Sequence, residues 1–389
     1  MDSTDLLQGY DLKNLTVGVL GGHSALDVCS GAKQFDFKTV CVARKGREKT
    51  YATYYKTRPA VSGQRLAVSE GEKGCVDEVI IVDQFDGVLD PKVQEKLREL
   101  NTVFVHNRYF WVYFKDFSKV ENEFNVPIFG SRTLLKLEER DQPYNQYHLL
   151  RDAGIRTPKI FAKAGDIDRP VLVKASEPQR GYERAFFVAT SSQDWADKGA
   201  QLEKEGKVTK SWREAAIEEF VVGAPVNFNF FYSPLTQELE LLGTDTRRQT
   251  NLDGFLRMPA DQQAEVRKAV PLKMIETGHI ACTVKESILE KAFDLGEKFV
   301  KATQKLPKSL DPSGKGIIGP FALQGAVVAE EGKEDIVIFD VSLRIPGSPG
   351  IAATPYSGYL YGQPMSVGER CGMEIRKAVT DGRLEEIVT

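Results

Sequence analysis

The chain has 389 residues, 41% of them hydrophobic and 28% charged, with 52 Lys and Arg against 55 Asp and Glu and a formal net charge of −3. That length exceeds what one hydrophobic core organises, so two or three packed units are expected. The near-balance of charge supplies no field to recruit nucleic acid or an anionic membrane, so the expected partner is a small molecule. No apolar run reaches the roughly 18 residues of a membrane span, and the opening MDSTDLLQGY has neither the basic nor the apolar part of a secretory leader, which points to a cytoplasmic protein. The five cysteines, Cys29, Cys41, Cys75, Cys282 and Cys371, are odd in number and widely spaced, which argues against structural zinc and a disulfide framework. Cys29 sits one turn into an expected helix, where a thiol pKa can fall, but a small buried apolar side chain is the expected reading.

In chain order, LTVGVLGG, KTVCVARKG, DEVIIVD, TVFVHN and NVPIFGS read as short strands. Helical stretches HSALDVCSGAKQF and DPKVQEKLRELN alternate with them, the pattern of a parallel sheet covered by helices. Parallel sheets bind ligands at the carboxyl ends of their strands, so GGHS, RKGRE and HNRYF are expected on one edge. Beyond residue 140, QYHLLRDAGIRTPKIF reads as a helix leading into RPVLVKAS, a strand that ends at Lys174. FFVATSS, a helix around QDWADKGAQLEKEG, the block AAIEEFVVGAPVNFNFFYS, ELELLGTDTRRQT, the helix KESILEKAFDLGEKFVKATQKL and the strands PFALQGAVVAE and DIVIFDVSLRIPG complete the pass. We expect an α/β protein with an N-terminal unit over residues 1–135 and a second over 136–389, the latter with a lid at about 160–225.

A lysine at a strand end beside a polar turn, such as Lys174, can place an ammonium on a nucleotide phosphate; otherwise it escapes to solvent. In IEEFVVG, Glu218 and Glu219 precede an apolar strand that runs to Gly223, a layout in which hinge backbone meets an adenine edge and a carboxylate takes ribose hydroxyls. Alternation puts Asp340, Ser342 and Arg344 on one strand face, with Gln324 opposite on a neighbouring strand. One carboxylate plus phosphate oxygens suits Mg2+, and a structural Asp340–Arg344 pair is the competing account. His23 and Ser24 lie at a helix N-terminus that favours anions, although GGHS lacks the spacing of a dinucleotide fingerprint. Arg108, Arg247, Arg248 and Arg344 are further cations in turns, whereas His106, His148 and His279 look solitary.

Together GGHSALDVCSGAK, KGREKTY, VENEFNVPIFGSR, LLRDAGIRTPKIF, IEEFVVGAPVNFNFFYSPLTQELELLG, NLDG, IGPFALQ and the C-terminal TPYSGYLYGQPMSVGERCGMEIRKAVTDGRLEEIVT resemble the archaeal formate-dependent 5-formaminoimidazole-4-carboxamide ribonucleotide (FAICAR) synthetases of the ATP-grasp superfamily. The resemblance implies a pre-ATP-grasp domain followed by an ATP-grasp fold of two α+β subdomains. It implies that 5-aminoimidazole-4-carboxamide ribonucleotide (AICAR) is formylated with formate, ATP and Mg2+. His23 and Ser24 would contact the ribonucleotide near its phosphate, and Asn251 would reach the same substrate, with Arg108 and Tyr109 beside them. Lys174, Glu218, Glu219 and the backbone of Phe220 and Val221 would hold ATP. Gln324 and Asp340 would stand at the magnesium positions, and Lys174 and Arg344 would offset charge in the reaction. The resemblance also implies a homo-oligomer, with YSGYLYG as a candidate contact.

Four stretches depart from the family pattern. The loop after Lys174, ASEPQRGYERAFF, holds one glycine, so phosphate contact falls to Arg180 or Arg184 rather than to open backbone. A neutral Gln324 replaces an acid, and Ser342 replaces an asparagine. HNRYF replaces a small phosphate-friendly turn, and RIPGSPG replaces a glycine-threonine-asparagine ending. These changes leave two alternatives open: a diverged carboxylate–amine ligase and a catalytically silent nucleotide-binding paralogue.

Overall fold

The structure, a computed structural model, describes residues 3–59, 72–114, 116–140, 142–175, 186–270, 272, 275–330 and 332–389. Its strands are β1 (Thr16–Leu20), β2 (Lys38–Arg44), the short pair β3 (Arg58–Pro59) and β4 (Glu72–Lys73), β5 (Glu78–Val82), β6 (Thr102–Val105) and β7 (Ile128–Phe129). There follow β8 (Ile160–Phe161), β9 (Val171–Lys174), β10 (Phe186–Ala189), β11 (Ala216–Glu219), β12 (Ala224–Ser233), β13 (Glu238–Gln249), β14 (Glu276–Cys282), β15 (Gly319–Glu330) and β16 (Lys333–Ser342).

The first sheet has the order β5-β2-β1-β6-β7, all pairs parallel. Every residue of β1 and β6 is buried, as the unbroken β-branched runs require when helices cover both faces. The helix Ala25–Gln34 follows β1 and buries Ala25, Val28, Cys29 and Ala32. Burial, reinforced by Cys41 and Cys75, holds the Cys29 thiol well above its ordinary pKa, so the helix terminus does not activate it.

The second sheet, β10-β9-β11-β8, is antiparallel and packs the helix Ser192–Lys204 over a small core of Val171, Val173, Phe187 and Trp212. The third, β14-β13-β12-β15-β16, is antiparallel and carries the long helix Glu286–Gln304. The block AAIEEFVVGAPVNFNFFYS is not one strand run. β11 ends at Glu219 and β12 begins at Ala224 in a different sheet, and Phe220 and Val222 are exposed between them, where no partner strand continues the ladder. The helix expected through QYHLLRDAGIRTPKIF stops at Asp152, because Gly154 turns the chain at φ +65°.

The chain finally returns to the first sheet. Helix Val367–Asp381 packs on Ala25–Gln34 through glycines: a Cβ on Gly368 would lie 2.1 Å from the Asp27 carbonyl oxygen, and one on Gly31 would lie 2.1 Å from the Gly368 carbonyl carbon. Val388 bridges Phe129, and the guanidinium of Arg132 donates to the carbonyls of Val120, Phe124, Val126 and Thr389. No helix among the described residues is long and apolar enough to cross a membrane.

Candidate active site

β9 and β11 position the first group of polar side chains. Their register pairs Lys174 with Ala216 and Leu172 with Glu218, so Lys174 and Glu218 share a face. The Lys174 Nζ lies 2.5 Å from Glu218 Oε2, with side-chain exposures of 4% and 2%. Tyr147 donates its hydroxyl to Glu218 and accepts from Arg140 Nε at 2.8 Å, and Arg140 Nη2 stands 3.4 Å from Asp340 Oδ1. Burial, then the nearby Arg140, push the Lys174 ammonium below its ordinary pKa against the pull of Glu218 and Asp340. An anion of higher charge placed here would relieve the crowding of Lys174 and Arg140. Glu219 instead pairs in register with Val171 on the opposite face, and its carboxylate accepts from Lys159 N and Arg169 Nη1, both at 3.2 Å. Phe220 and Val221 form the link between the second and third sheets. Arg180 lies outside the described residues.

On the third sheet Gln324 of β15 stands directly opposite Asp340 of β16, and the register slips just beyond, where Gly325 pairs with Ile338. Gln324 donates its amide to Ser342 Oγ at 2.8 Å and accepts from Arg247. Arg344 does not pair with Asp340. It lies past the end of β16, with Nε 3.5 Å from Glu138 Oε1, while Arg108 Nη1 donates to Glu138 Oε2 at 2.8 Å. Glu138 is fixed in turn by the Leu343 amide at 2.6 Å. The half-buried Asp340 therefore lies within electrostatic range of Lys174, Arg108, Arg140 and Arg344.

Among the described residues no cluster of three His, Cys, Asp or Glu is placed to hold a metal. One carboxylate from Asp340 and one amide carbonyl from Gln324, on adjacent strands, still form an oxygen donor set of the kind Mg2+ takes when phosphates complete its shell. The fit is that of a site with a single acidic ligand.

The third group joins the two halves of the molecule. Ser24 adopts the left-handed region at φ 74°, uncommon for serine, and its hydroxyl donates to the Pro346 carbonyl at 2.5 Å. His23 packs on Gly347, where a Cβ would come within 1.7 Å of the ring. RIPGSPG thus meets GGHS. Tyr109 covers Gly22, and Asn107 ties the HNRYF turn to the Leu20 carbonyl at 2.9 Å. Asn251 lies in the short helix Thr250–Phe255, four residues past Arg247.

His279, which looks solitary in sequence, is not. Its Nδ1 bonds Asp245 and lies 3.1 Å from Ser348 Oγ, and its Nε2 is 3.0 Å from Glu276 Oε1. Glu276 also stands 3.8 Å from His23 Nε2 and 3.3 Å from Arg247 Nε. A bulge hides this pair from strand alternation: Gln249 pairs with Glu276 and Arg248 with Gly278, so Thr277 is the extra residue and positions three apart reach one face. Tyr147, Arg140 and Glu138 were missed for a simpler reason, because each lies in or before a short helix that carries no ligand-like spacing.

Two family models match: one described as a protein of unknown function (DUF1246), over residues 17–161, and one as a domain of unknown function (DUF1297), over residues 194–389. A 5-formaminoimidazole-4-carboxamide-1-(beta)-D-ribofuranosyl 5'-monophosphate synthetase of Methanopyrus kandleri is 34% identical over 99% of this chain and 98% of its own length. One of Methanothermobacter thermautotrophicus is 36% identical over 99% and 97%. The chain belongs to this synthetase family. The solved structure of an IMP biosynthesis protein, PurP, from Thermococcus kodakaraensis aligns with a TM-score of 0.67 at 25% identity, covering 96% of this chain and all of that one. The ADP complex of an N5-carboxyaminoimidazole ribonucleotide synthetase aligns at TM-score 0.56 and 12% identity over 91% of this chain and 78% of that one, which shows a shared ATP-grasp fold. The family's fold thus agrees with the α/β architecture expected from the sequence.

Proposed function

We propose that the chain is an ATP- and formate-dependent ligase that converts AICAR to FAICAR in purine biosynthesis, releasing ADP and phosphate. One observation carries this reading beyond family membership. A run of side chains leads from Lys174 through Glu218, Tyr147 and Arg140 to Asp340, and the opposing Gln324 continues it through Arg247 and Glu276 to His23. We assign the nucleotide to one end of this run and the ribonucleotide to the other.

In this reading the backbone of Phe220 and Val221 meets adenine, Glu218 serves the ribose side while Glu219, expected there too, turns to Arg169 on the opposite face, and Lys174, Arg140 and Arg344 offset phosphate charge. Asp340 and Gln324 would hold Mg2+, which when bound neutralises phosphate oxygens. His23, Ser24, Arg108, Tyr109 and Asn251 are assigned to AICAR. A formate oxygen attacks the γ-phosphorus, and the bond from that phosphorus to the bridging oxygen breaks to release ADP. The AICAR amine then attacks the formyl carbon, the bond from carbon to the phosphate oxygen breaks, and the nitrogen's proton leaves with phosphate. No side-chain nucleophile is needed; the protein aligns three ligands and keeps water from the acyl phosphate, a role we assign to the unit carrying β8 to β11. The exposed Tyr359 and Leu360 of helix Tyr356–Tyr361 are assigned to contact between copies, which sedimentation velocity tests.

The test is ADP release with ATP, Mg2+, formate and AICAR, each omitted in turn. Strict dependence on formate and AICAR supports the assignment. Equal ADP release with another acid or amine, or nucleotide binding without turnover, replaces it with the diverged or the silent alternative.

A further inference from the structure

Behind His23 stands a line of ionisable groups from the other half of the molecule. Asp245 of β13 is buried and accepts from Asn227 at 3.0 Å and Asn229 at 2.7 Å as well as bonding His279. Although burial opposes its charge, Asp245 and Glu276 push the His279 imidazole up to about 9, so it is an imidazolium at neutral pH. Burial likewise opposes charge on Glu276, but His23, His279 and Arg247 hold its carboxyl well below the usual range. His23 presents Nε2 to this carboxylate, while its Nδ1 is buried and has no hydrogen-bond partner. The charged groups facing His23 are Glu276 and His279 from β14 and Arg344 from the segment after β16, and burial with Arg344 keeps the free ring neutral.

We propose that Asp245, His279 and Glu276 are positioning residues that orient His23 and let it take up a proton from solvent when the phosphomonoester of the ribonucleotide docks at its Nδ1. This rests on the assignment of the GGHS turn to the phosphate end of AICAR given above. The Glu276 carboxylate, 3.8 Å from Nε2 and beyond hydrogen-bond distance, favours by its field the tautomer with the proton on Nε2, which leaves a lone pair on Nδ1. Nδ1 is covered beside Gly347 in the unliganded chain, so the contact requires the ring to turn from Gly347 as the phosphate arrives. Because a lone pair repels a dianion, the contact forms only when Nδ1 acquires a proton. The dianion on one side and Glu276 on the other both favour that proton. The loop RIPGSPG supplies the mount: Pro346 accepts from Ser24, Gly347 leaves room for the ring, and Ser348 touches His279. A stretch that departs from the family pattern thereby gains a physical role.

The experiment is calorimetric titration of the full-length protein with AICAR near pH 7 in two buffers of different ionisation enthalpy. Wild type is expected to take up most of one proton per ligand. Glu276→Gln, isosteric and on a partly exposed strand residue, is expected to bind at least tenfold more weakly with less than half that uptake. In turnover its loss is expected in KM with kcat nearly unchanged, and Glu276→Asp is expected to restore part of it. Thr277→Ala, an exposed neighbour, is the control. Gly347→Ala, which displaces the ring without touching a charge, is expected to abolish the uptake as well. Zero uptake by wild type, or equal uptake by wild type and Glu276→Gln, overturns the relay. If wild type does not bind AICAR, the functional assignment fails, and proton NMR of the four histidines with inorganic phosphate judges the relay separately. A shift of the His23 resonance to the imidazolium position in wild type but not in Glu276→Gln supports it, and no difference between the two overturns it.

Discussion

At the scale of single residues, the pair Lys174–Glu218 sets the character of the nucleotide end. Both side chains are almost wholly buried, and each depends on the other to offset lost hydration. Lys174→Met leaves Glu218 charged and unpaired, so it is expected to lower unfolding stability by about 3–5 kcal/mol in urea titration, whereas adding Glu218→Met recovers most of that loss. The sequence marked Lys174 by its place at a strand end, and it marked two adjacent glutamates without telling them apart. Strand register separates them: Glu218 faces the lysine and Glu219 faces Arg169.

His279 yields a pH prediction of definite sign. Its folded pKa is raised to about 9, above the ordinary value of 6.5, so its contribution to stability is complete below about pH 6.5 and is lost as pH rises through 9. The thermal midpoint of wild type is expected to fall between pH 7 and 9.5, and that of His279→Asn to fall less over the same window, as read by scanning calorimetry. His106 acts on the other side. Burial, with Arg344 and Arg132, lowers its pKa to about 3, so the neutral ring costs stability as pH drops below 6.5.

Elements place these residues, and the glycine seam between Ala25–Gln34 and Val367–Asp381 holds the GGHS turn's helix in place. Backbones approach there so closely that no side chain fits. Gly368→Val is expected to destabilise the fold by about 3 kcal/mol or more, measured by chemical denaturation, because the atoms it meets are backbone and cannot swing aside. The five parallel strands were legible in sequence, since unbroken Val and Ile runs bounded by turns have few other homes. β14 was not. Its segment ETGHIAC is short, half polar and bulged, so neither apolar alternation nor a turn signal announces it.

Across the whole molecule, Arg247 is the link between the two ends, touching Gln324 on one side and Glu276 on the other. Arg247→Ala is expected to lower kcat/KM for both ATP and AICAR by about 100-fold, the loss typical of removing one preorganised donor. A steady-state assay varying each substrate checks it. A loss confined to one substrate would separate the two ends.

What is local was legible in the sequence by itself: strands and helices with strong periodicity, and the turn GGHS. Arg247 and Arg248, expected in a turn, instead lie in β13, where Arg247 pairs with His279 and Arg248 with Gly278. The sequence also carried the long matching segments that mark the family. Only the tertiary structure decided that Glu218 rather than Glu219 meets Lys174, that Arg344 pairs with Glu138 rather than Asp340, and that Glu276 and His279 stand behind His23. The reason is physical. Side-chain direction along a regular strand has a period of two that can be counted, whereas a bulge resets the count, and contacts between sheets depend on distances that no spacing within one segment encodes.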